Sequence, residues 1–451
     1  LMRTISATLK TAQEGTAKIP YIRVVINAVD YSSRLLFVEH HEEAYRDRAT
    51  LVLRNNDRLF DSVSLKGRSF QIGYGLTTGA SITSWQATTA YVVGNSVGPV
   101  VPTGIRYYCR VAGTSGGSEP AWPTIGNTVV DGTVTWEYGC ASGNEYSNSP
   151  GLWVKNQQMV SAGGELVCQL YCEGMWTYLR EQMVMAARTI TAGSFEVGKS
   201  YRIVSIGTTN FTLIGAASNT VGVVFSATGV GVGTGTASFV EPYEIGAYDG
   251  STDTVYDIIE DVIEGAMGWT LESAPVPDDG ILTTFMPVFQ LNASKGSYQS
   301  AAQILYRLIT MTKCYFRAKA GNIIQIVYPQ TSDAANETYY SYQAHQFIEY
   351  MEKINEVLPN RVVVLAGNSL NAEIWPQPVI VGDTGVYSGQ YVEVVQPYLV
   401  GSITVQADAT NRAAAILARI KAEGMAGRVV VPHDCSVELV DKVAIYDSRG
   451  S

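Results

Sequence analysis

Charge is scarce in this chain. Lys, Arg, Asp and Glu supply 16 % of its 451 residues, against about 25 % in an ordinary soluble domain. That shortage excludes a long, charged helical rod. The net charge of −10 argues against a nucleic-acid-binding face, which needs clustered Lys and Arg. It leaves room for an acidic wall past which DNA slides without sticking. There is no run of 18 or more apolar residues, so no transmembrane helix is expected. No secretory signal is visible either. The start at Leu1 and the polar end DSRGS fit a piece trimmed from a longer product, so the missing leader says little.

Residues that carry chemistry are also few. The histidines are His40, His41, His345 and His433. His40 and His41 lie in EHHEE (39–43), and adjacent strand residues point to opposite faces. They are read as part of a solvated loop or edge, not as metal ligands. His433, in VPHDC, is read as part of a surface turn, because a Cys–His nucleophile pair needs a cleft and an orienting third group. The cysteines Cys109, Cys140, Cys168, Cys172, Cys314 and Cys435 fit no zinc spacing. Reduced thiols are the favoured expectation, although Cys109 and Cys140 flank one segment and a pairing between them stays open. The run GVGVGTG (229–235) lacks the helix and the Lys-Ser/Thr that a phosphate loop requires. The sequons at Asn210, Asn292 and Asn336 are expected by chance. No carboxylate pair stands out. The expectation is a scaffold or binder, not an enzyme, with no cofactor and no metal.

What the chain does have is 43 Gly, 27 Tyr and 46 % hydrophobic residues. This is enough for several domains of about 100–200 residues, rich in strands and turns. Alternating patterns predict strands at 21–29, 48–55 and 67–75. Residues 83–140 change texture: Trp, Tyr, Gly, Pro and Thr dominate and Lys is absent. The earlier style resumes at 150–187 with a strand and a short helix, so 83–140 reads as an insert. Residues 191–240 read as a second small insert of about four strands. At 253–264, Val255, Ile258, Ile259, Val262 and Ile263 form one helical stripe opposite Asp253, Asp257, Glu260, Asp261 and Glu264. A helix at 297–312 leads into a hairpin turning at Gly321. Strands are predicted at 360–367, 386–395 and 401–408. A helix at 411–424 follows, with Ala413, Ile416, Leu417 and Ile420 on one face. Two strands around a polar turn close the chain.

The phrases LVLRNNDRLF, LKGRSFQIGYG, AAQILYRLITMTKCYFRAKAGNIIQIVYP and AAAILARIKAEGMAGRVVVPHDCSVELVDKVAIYD resemble tail-hub (baseplate hub) proteins of long-tailed bacteriophages. The likeness is one of order and pattern and covers 1–82, 141–187 and 245–451. It implies a mainly β fold with an α+β middle: two hub-type β-barrels plus two small inserted β-domains. The implied division is a first barrel from 1–82 and 141–187, an aromatic module at 83–140 and a second module at 188–244. An α/β domain at 245–344 and a second barrel with one helix at 345–451 complete it. Three copies would then present six barrels to a six-fold tail tube, above a three-fold tip or baseplate. Implied partners are the tail tube or distal tail protein, tip or fibre proteins and the tape-measure protein. DNA would pass through the lumen without specific binding. The place would be the virion tail tip or baseplate, after assembly in the host cytoplasm.

Residues 83–140 resemble the small aromatic β-modules found in many phage tail and fibre proteins, which are themselves similar to chitin-type carbohydrate-binding modules. The matching positions are Trp85, Tyr91, Gly94, Asn95, Ser96, Val97, Tyr107, Tyr108, Cys109, Trp122 and Trp136. Trp122, Tyr91 and Tyr108 are the candidate contacts for a host cell-surface glycan, because aromatic faces stack on sugar rings. Trp85 and Trp136, near the module's ends, are read as staples. Trp122, beside Pro120 and Pro123, is read as exposed. A receptor-binding adhesin is the alternative to the hub.

Overall fold

The computed structural model describes residues 3–448 except 4, 17, 80, 163, 187–188, 241–243, 246–247, 290–298, 331, 344, 354–360, 367–378, 383–394, 401–405 and 425. The fold is mostly β. Its largest sheet is antiparallel and joins, in spatial order, Val29–Asp30, Pro20–Ile26, Ser69–Thr77, Leu152–Ala162, Glu165–Gly174, Arg46–Arg54 and Leu35–Glu43. Asn144–Asn148 pairs the far half of Ser69–Thr77. Strand alternation sends Ala49, Leu51 and Leu53 inward to meet Cys168, Leu170 and Cys172 in one core. Helix Ala7–Glu14, capped by Ser6, adds Leu9.

This sheet stays open, contrary to the barrel expected from the resemblance. Asn27 and Ala28 take positive φ (54° and 60°) and turn the chain back at once. The edge strand Val29–Asp30 is therefore only two residues long and does not reach Leu35–Glu43 at the other edge. The strand crossing nearest the first insert is tight. A Cβ on Gly75 would lie 1.8 Å from the Glu145 carbonyl oxygen. Gly75→Ala is expected to cost about 1–3 kcal/mol through forced separation of the strands, read as a lower denaturant midpoint with unchanged slope.

In the middle region Thr254 and Asp257 form a capping box for helix Val255–Glu260. The helix continues as a π-turn, Asp261–Ala266, where sequence periodicity predicts one regular helix. The apolar stripe Val255, Ile258, Ile259, Val262 and Ile263 is fully buried. Asp261 leaves the expected solvated face: Arg202 Nη2 lies 2.5 Å from it and the Tyr248 hydroxyl donates to it at 2.9 Å. Burial raises the Asp261 pKa, with Arg202 and Tyr248 acting against the rise. Helix Ala301–Ile309, with its own capping box at Ser300 and Gln303, packs into the same core. The hairpin Tyr315–Lys319/Ile323–Val327 turns at Gly321, where φ is 87°.

The second insert is a four-stranded sheet of Thr189–Thr191, Ser200–Ser205, Val224–Ser226 and Thr236–Phe239 around Phe195, Tyr201, Phe211 and Phe225. Arg202, bonded to Asp261, ties it to the middle region.

The late barrel is expected at 345–451. Its described residues form an open three-stranded sheet in which Arg361–Ala366 pairs antiparallel with Val379–Gly382 and parallel with Val395–Val400. Helix Gln406–Gly424 lays Ala413, Ile416 and Leu417 on Val362 and Val364. Residues 406–408, predicted as strand, open this helix. The strand predicted at 386–395 falls outside the described residues except at Val395. The two closing strands do not pair with each other. Ala426–Val430 joins Glu349–Lys353, and Val443–Tyr446 lies parallel to Glu337–Tyr340. Between them the chain dips back to its beginning. Cys435 enters the first core, its N–H donating to Gln13 Oε1 at 2.7 Å.

A buried ion network holds this return in place. Arg317, 1 % exposed, donates to the Leu439 carbonyl at 2.6 Å and to Asp441 Oδ1 at 2.7 Å, and lies 3.5 Å from Glu438 Oε2. Arg3 reaches Glu438 and Glu42 from the N-terminal segment. His40 belongs to an adjoining polar layer. Strand alternation points it inward, where it bonds Asp47 Oδ1 (2.8 Å) and the Tyr74 hydroxyl (3.1 Å), while His41 points out. The expectation of a solvated His40 is therefore corrected. His433 packs its ring against Tyr74 at 4.5 Å.

Candidate functional site

The aromatic insert grows from the hairpin that joins Ser69–Thr77 to Asn144–Asn148. Its two ends leave side by side: Thr78 and Gly79 N–H both donate to the Gly143 carbonyl, at 2.7 and 3.0 Å. Within it, Ile105–Val111 and Val134–Ala141 form the central pair, with Thr128–Asp131 and Ser96–Val97 outside. Alternation along Ile105–Val111 sorts the side chains. Tyr107 and Cys109 face the module's core with Trp85, Val97, Val134 and Trp136. Tyr108 faces the other way, into a contact with Cys140, Tyr146 and Tyr21.

Asp131 organises the core. Its Oδ2 accepts from both indoles, Trp85 Nε1 at 2.8 Å and Trp136 Nε1 at 3.0 Å, and its Oδ1 accepts from the Gly116 N–H at 2.8 Å. Asp-Gly (131–132) also makes the hairpin turn, with Gly132 at φ 64°. The module is clamped to its host sheet. Arg106 pairs with Glu145 at 3.0 Å, both nearly fully buried. Arg23 donates to the Tyr138 carbonyl at 3.3 Å. The module's orientation is thus fixed by the fold.

The three candidate contact residues separate. Tyr91 and Trp122 both pack against Trp136, at centroid distances of 4.8 and 6.0 Å. Tyr108 is 7 % exposed and presents no ring face to solvent. Trp122 is half-buried, less open than the flanking prolines suggest, because Tyr107 stacks on it at 4.4 Å. Glu119 holds the ring, with Oε1 accepting from Trp122 Nε1 (2.8 Å) and from the Val100 N–H (2.8 Å). That bond brings in the exposed Val100 and Val101, which sequence reasoning did not single out. The arrangement offers a partly open indole beside an apolar shoulder and a carboxylate.

Cys109 and Cys140 lie in different cores and all six cysteines are free. Burial pushes the thiols of Cys109 and Cys140 up to about 11, so neither is a thiolate near neutral pH. Among the described residues one group, Glu337, His345 and Asp434, gathers three metal-binding atoms within 4.8 Å of one another.

No family model matches the chain, and no curated protein matches it. Solved structures similar to it include three tail proteins. The tail protein from Neisseria meningitidis MC58 aligns with a TM-score of 0.47 and 9 % identity, over 96 % of this chain and 87 % of its own. The 43 kDa tail protein of prophage MuSo2 from Shewanella oneidensis gives 0.40 and 8 %, over 91 % and 81 %. The prophage tail protein gp18 from Listeria monocytogenes EGD-e gives 0.32 and 10 %, over 76 % and 73 %.

Proposed function

We propose that the chain is a structural protein of a bacteriophage tail, a trimeric hub joining the six-fold tail tube to the three-fold tip or baseplate. The observation that carries this reading is the open sheet. Among the described residues no further strand pairs with its two edge strands, where Val29 and Phe37 stand 46 % and 52 % exposed. Bare edges invite pairing with another chain, and a closed ring covers them while ending the assembly. The sequence resemblance runs through the same sheet, the central hairpin and the returning C-terminal segment.

In this reading 1–82 with 141–187, and 345–451, are the two ring-forming parts. Residues 245–344 link them, and the modules at 83–140 and 188–244 decorate the surface. The tube or distal tail protein binds on one side and tip or fibre proteins on the other. Tape-measure protein and DNA pass through a lumen whose acidic balance limits phosphate sticking. No catalysis and no cofactor is assigned. Light scattering on the purified chain, alone and with tail-tube protein, tests the reading. The expected mass is three times the 48.7 kDa of the chain. A monomer under both conditions overturns it.

The partly open indole of Trp122 favours a second role, contact with host glycan. Trp122→Ala is expected to weaken adsorption to cells or cell-wall glycan roughly 2- to 10-fold, the worth of one aromatic stacking contact. Unchanged adsorption with an intact fold removes that role.

A further inference from the structure

We propose that Glu337, His345 and Asp434 bind a divalent transition-metal ion of the zinc type, which fastens the end of the chain to its beginning. The three side chains are 11 %, 9 % and 2 % exposed. His345 Nε2 lies 3.5 Å from Asp434 Oδ2, and its Nδ1 lies 3.5 Å from Glu337 Oε1. A charge-assisted N–H···O bond is shorter, about 2.7–2.9 Å. Ligand atoms sharing a tetrahedral ion, each about 2.0–2.2 Å from it, stand about 3.4 Å apart. The Nε2 to Asp434 spacing fits that edge. Glu337 faces the other ring nitrogen; one ligand atom from each of the three side chains lies within 4.8 Å of the others, and a turn of Glu337 toward Nε2, which releases the Thr338 N–H, completes the set.

The surroundings suit an ion. Asp434 is held on both oxygens: Oδ2 accepts from the Tyr339 hydroxyl at 3.0 Å, and Oδ1 accepts from Ser436 N–H (2.9 Å), Ser436 hydroxyl (2.6 Å) and Gln13 Nε2 (3.2 Å). Glu337 Oε1 accepts from the Thr338 N–H at 2.9 Å, and its Oε2 lies 3.7 Å from Lys10. The outer bonds to Asp434 orient that ligand, whereas Glu337 exchanges its present partners for the ion. One imidazole nitrogen with two carboxylate oxygens selects a borderline ion over Mg²⁺ or Ca²⁺, which prefer all-oxygen cages. Water fills the remaining position.

The ion would join three segments: the strand Glu337–Tyr340, the residues after it, and the turn that carries Cys435 into the first core. Gln13 bonds both Asp434 and Cys435, so the N-terminal helix is part of the same junction.

The test uses the full chain stripped with EDTA. Titration calorimetry with Zn²⁺ is expected to show one ion per chain. The melting temperature is expected to rise by about 3 °C at a hundredfold excess over the dissociation constant, with no rise in Mg²⁺. Co²⁺ is expected to give a visible absorption band. His345→Gln and, separately, Glu337→Gln are expected to fold and to lose the Zn²⁺ response and the Co²⁺ band. Absence of Zn²⁺ binding in the wild type overturns the proposal. So does Zn²⁺ binding that survives both substitutions, since the ion then sits elsewhere.

Discussion

Arg317→Met is expected to destabilise the chain by about 3–5 kcal/mol, the usual loss when one partner of a buried ion pair is removed. The guanidinium is 1 % exposed and its two acidic partners are 2 % exposed at the side chain. Deleting it leaves Asp441 without its guanidinium partner, Glu438 with Arg3 alone, and the Leu439 carbonyl without the Arg317 N–H. Burial already raises the Glu438 pKa, with Arg3 and Arg317 opposing the rise. Without Arg317 it rises further. A carboxyl with a raised folded-state pKa favours folding below its unfolded value and loses that contribution as pH climbs through the folded value. The deficit of the variant relative to wild type is therefore largest at neutral pH and shrinks toward the ordinary carboxylate range near pH 4.5. Urea denaturation at several pH values measures both the size and the slope. A deficit below about 1 kcal/mol at pH 7 would mean that the network is worth no more than a surface pair.

Asp131→Ala is expected to melt the aromatic insert while the host sheet stays folded. Three donors, the indoles of Trp85 and Trp136 and the Gly116 N–H, lose their one acceptor. Both indoles are buried, at 5 % and 0 % exposure. Each orphaned buried donor costs about 1–3 kcal/mol, and a module this small rarely has more than about 3–5 kcal/mol to lose. Limited proteolysis is expected to cut within 83–140 and spare the first core, with loss of the near-ultraviolet tryptophan signal. Asp131→Asn keeps one acceptor oxygen and is expected to give a milder effect. Equal protease resistance in the Ala variant would show that the aromatic contacts alone hold the module.

Much of the local structure was legible because it follows short-range periodicity. The inward row Ala49, Leu51 and Leu53 and the stripe from Val255 to Ile263 are visible in the sequence as alternation and as helical spacing. The hairpin at Gly321 is equally local. Closure of the sheet was not legible, since it depends on which distant strands meet and on a two-residue turn at Asn27 and Ala28. Alternation places His40 and His41 on opposite faces, but that His40 takes the inner face beside Asp47 and Tyr74 depends on which strands pair, which no local pattern encodes. The face of Trp122 is half covered by Tyr107, a neighbour brought in by strand pairing. Asp131 and Gly132 show in the sequence only as turn residues, and the role of Asp131 as shared acceptor appears only once Trp85 folds back onto it. Glu337, His345 and Asp434 sit on segments too far apart for any ligand spacing to show. Tyr108 and Tyr107 are adjacent in the sequence, yet alternation gives them to different cores.

The paired departure of the insert at Thr78 and Gly143 has a consequence for how such chains diversify. Because entry and exit share one carbonyl, a short turn can bridge the gap left by excision, provided that Glu145 and Tyr146 receive replacements for Arg106 and Tyr108. The same socket accepts a different cassette whose ends are equally close. Surface specificity can thus be exchanged between lineages, or by an engineer, while the underlying frame is inherited unchanged.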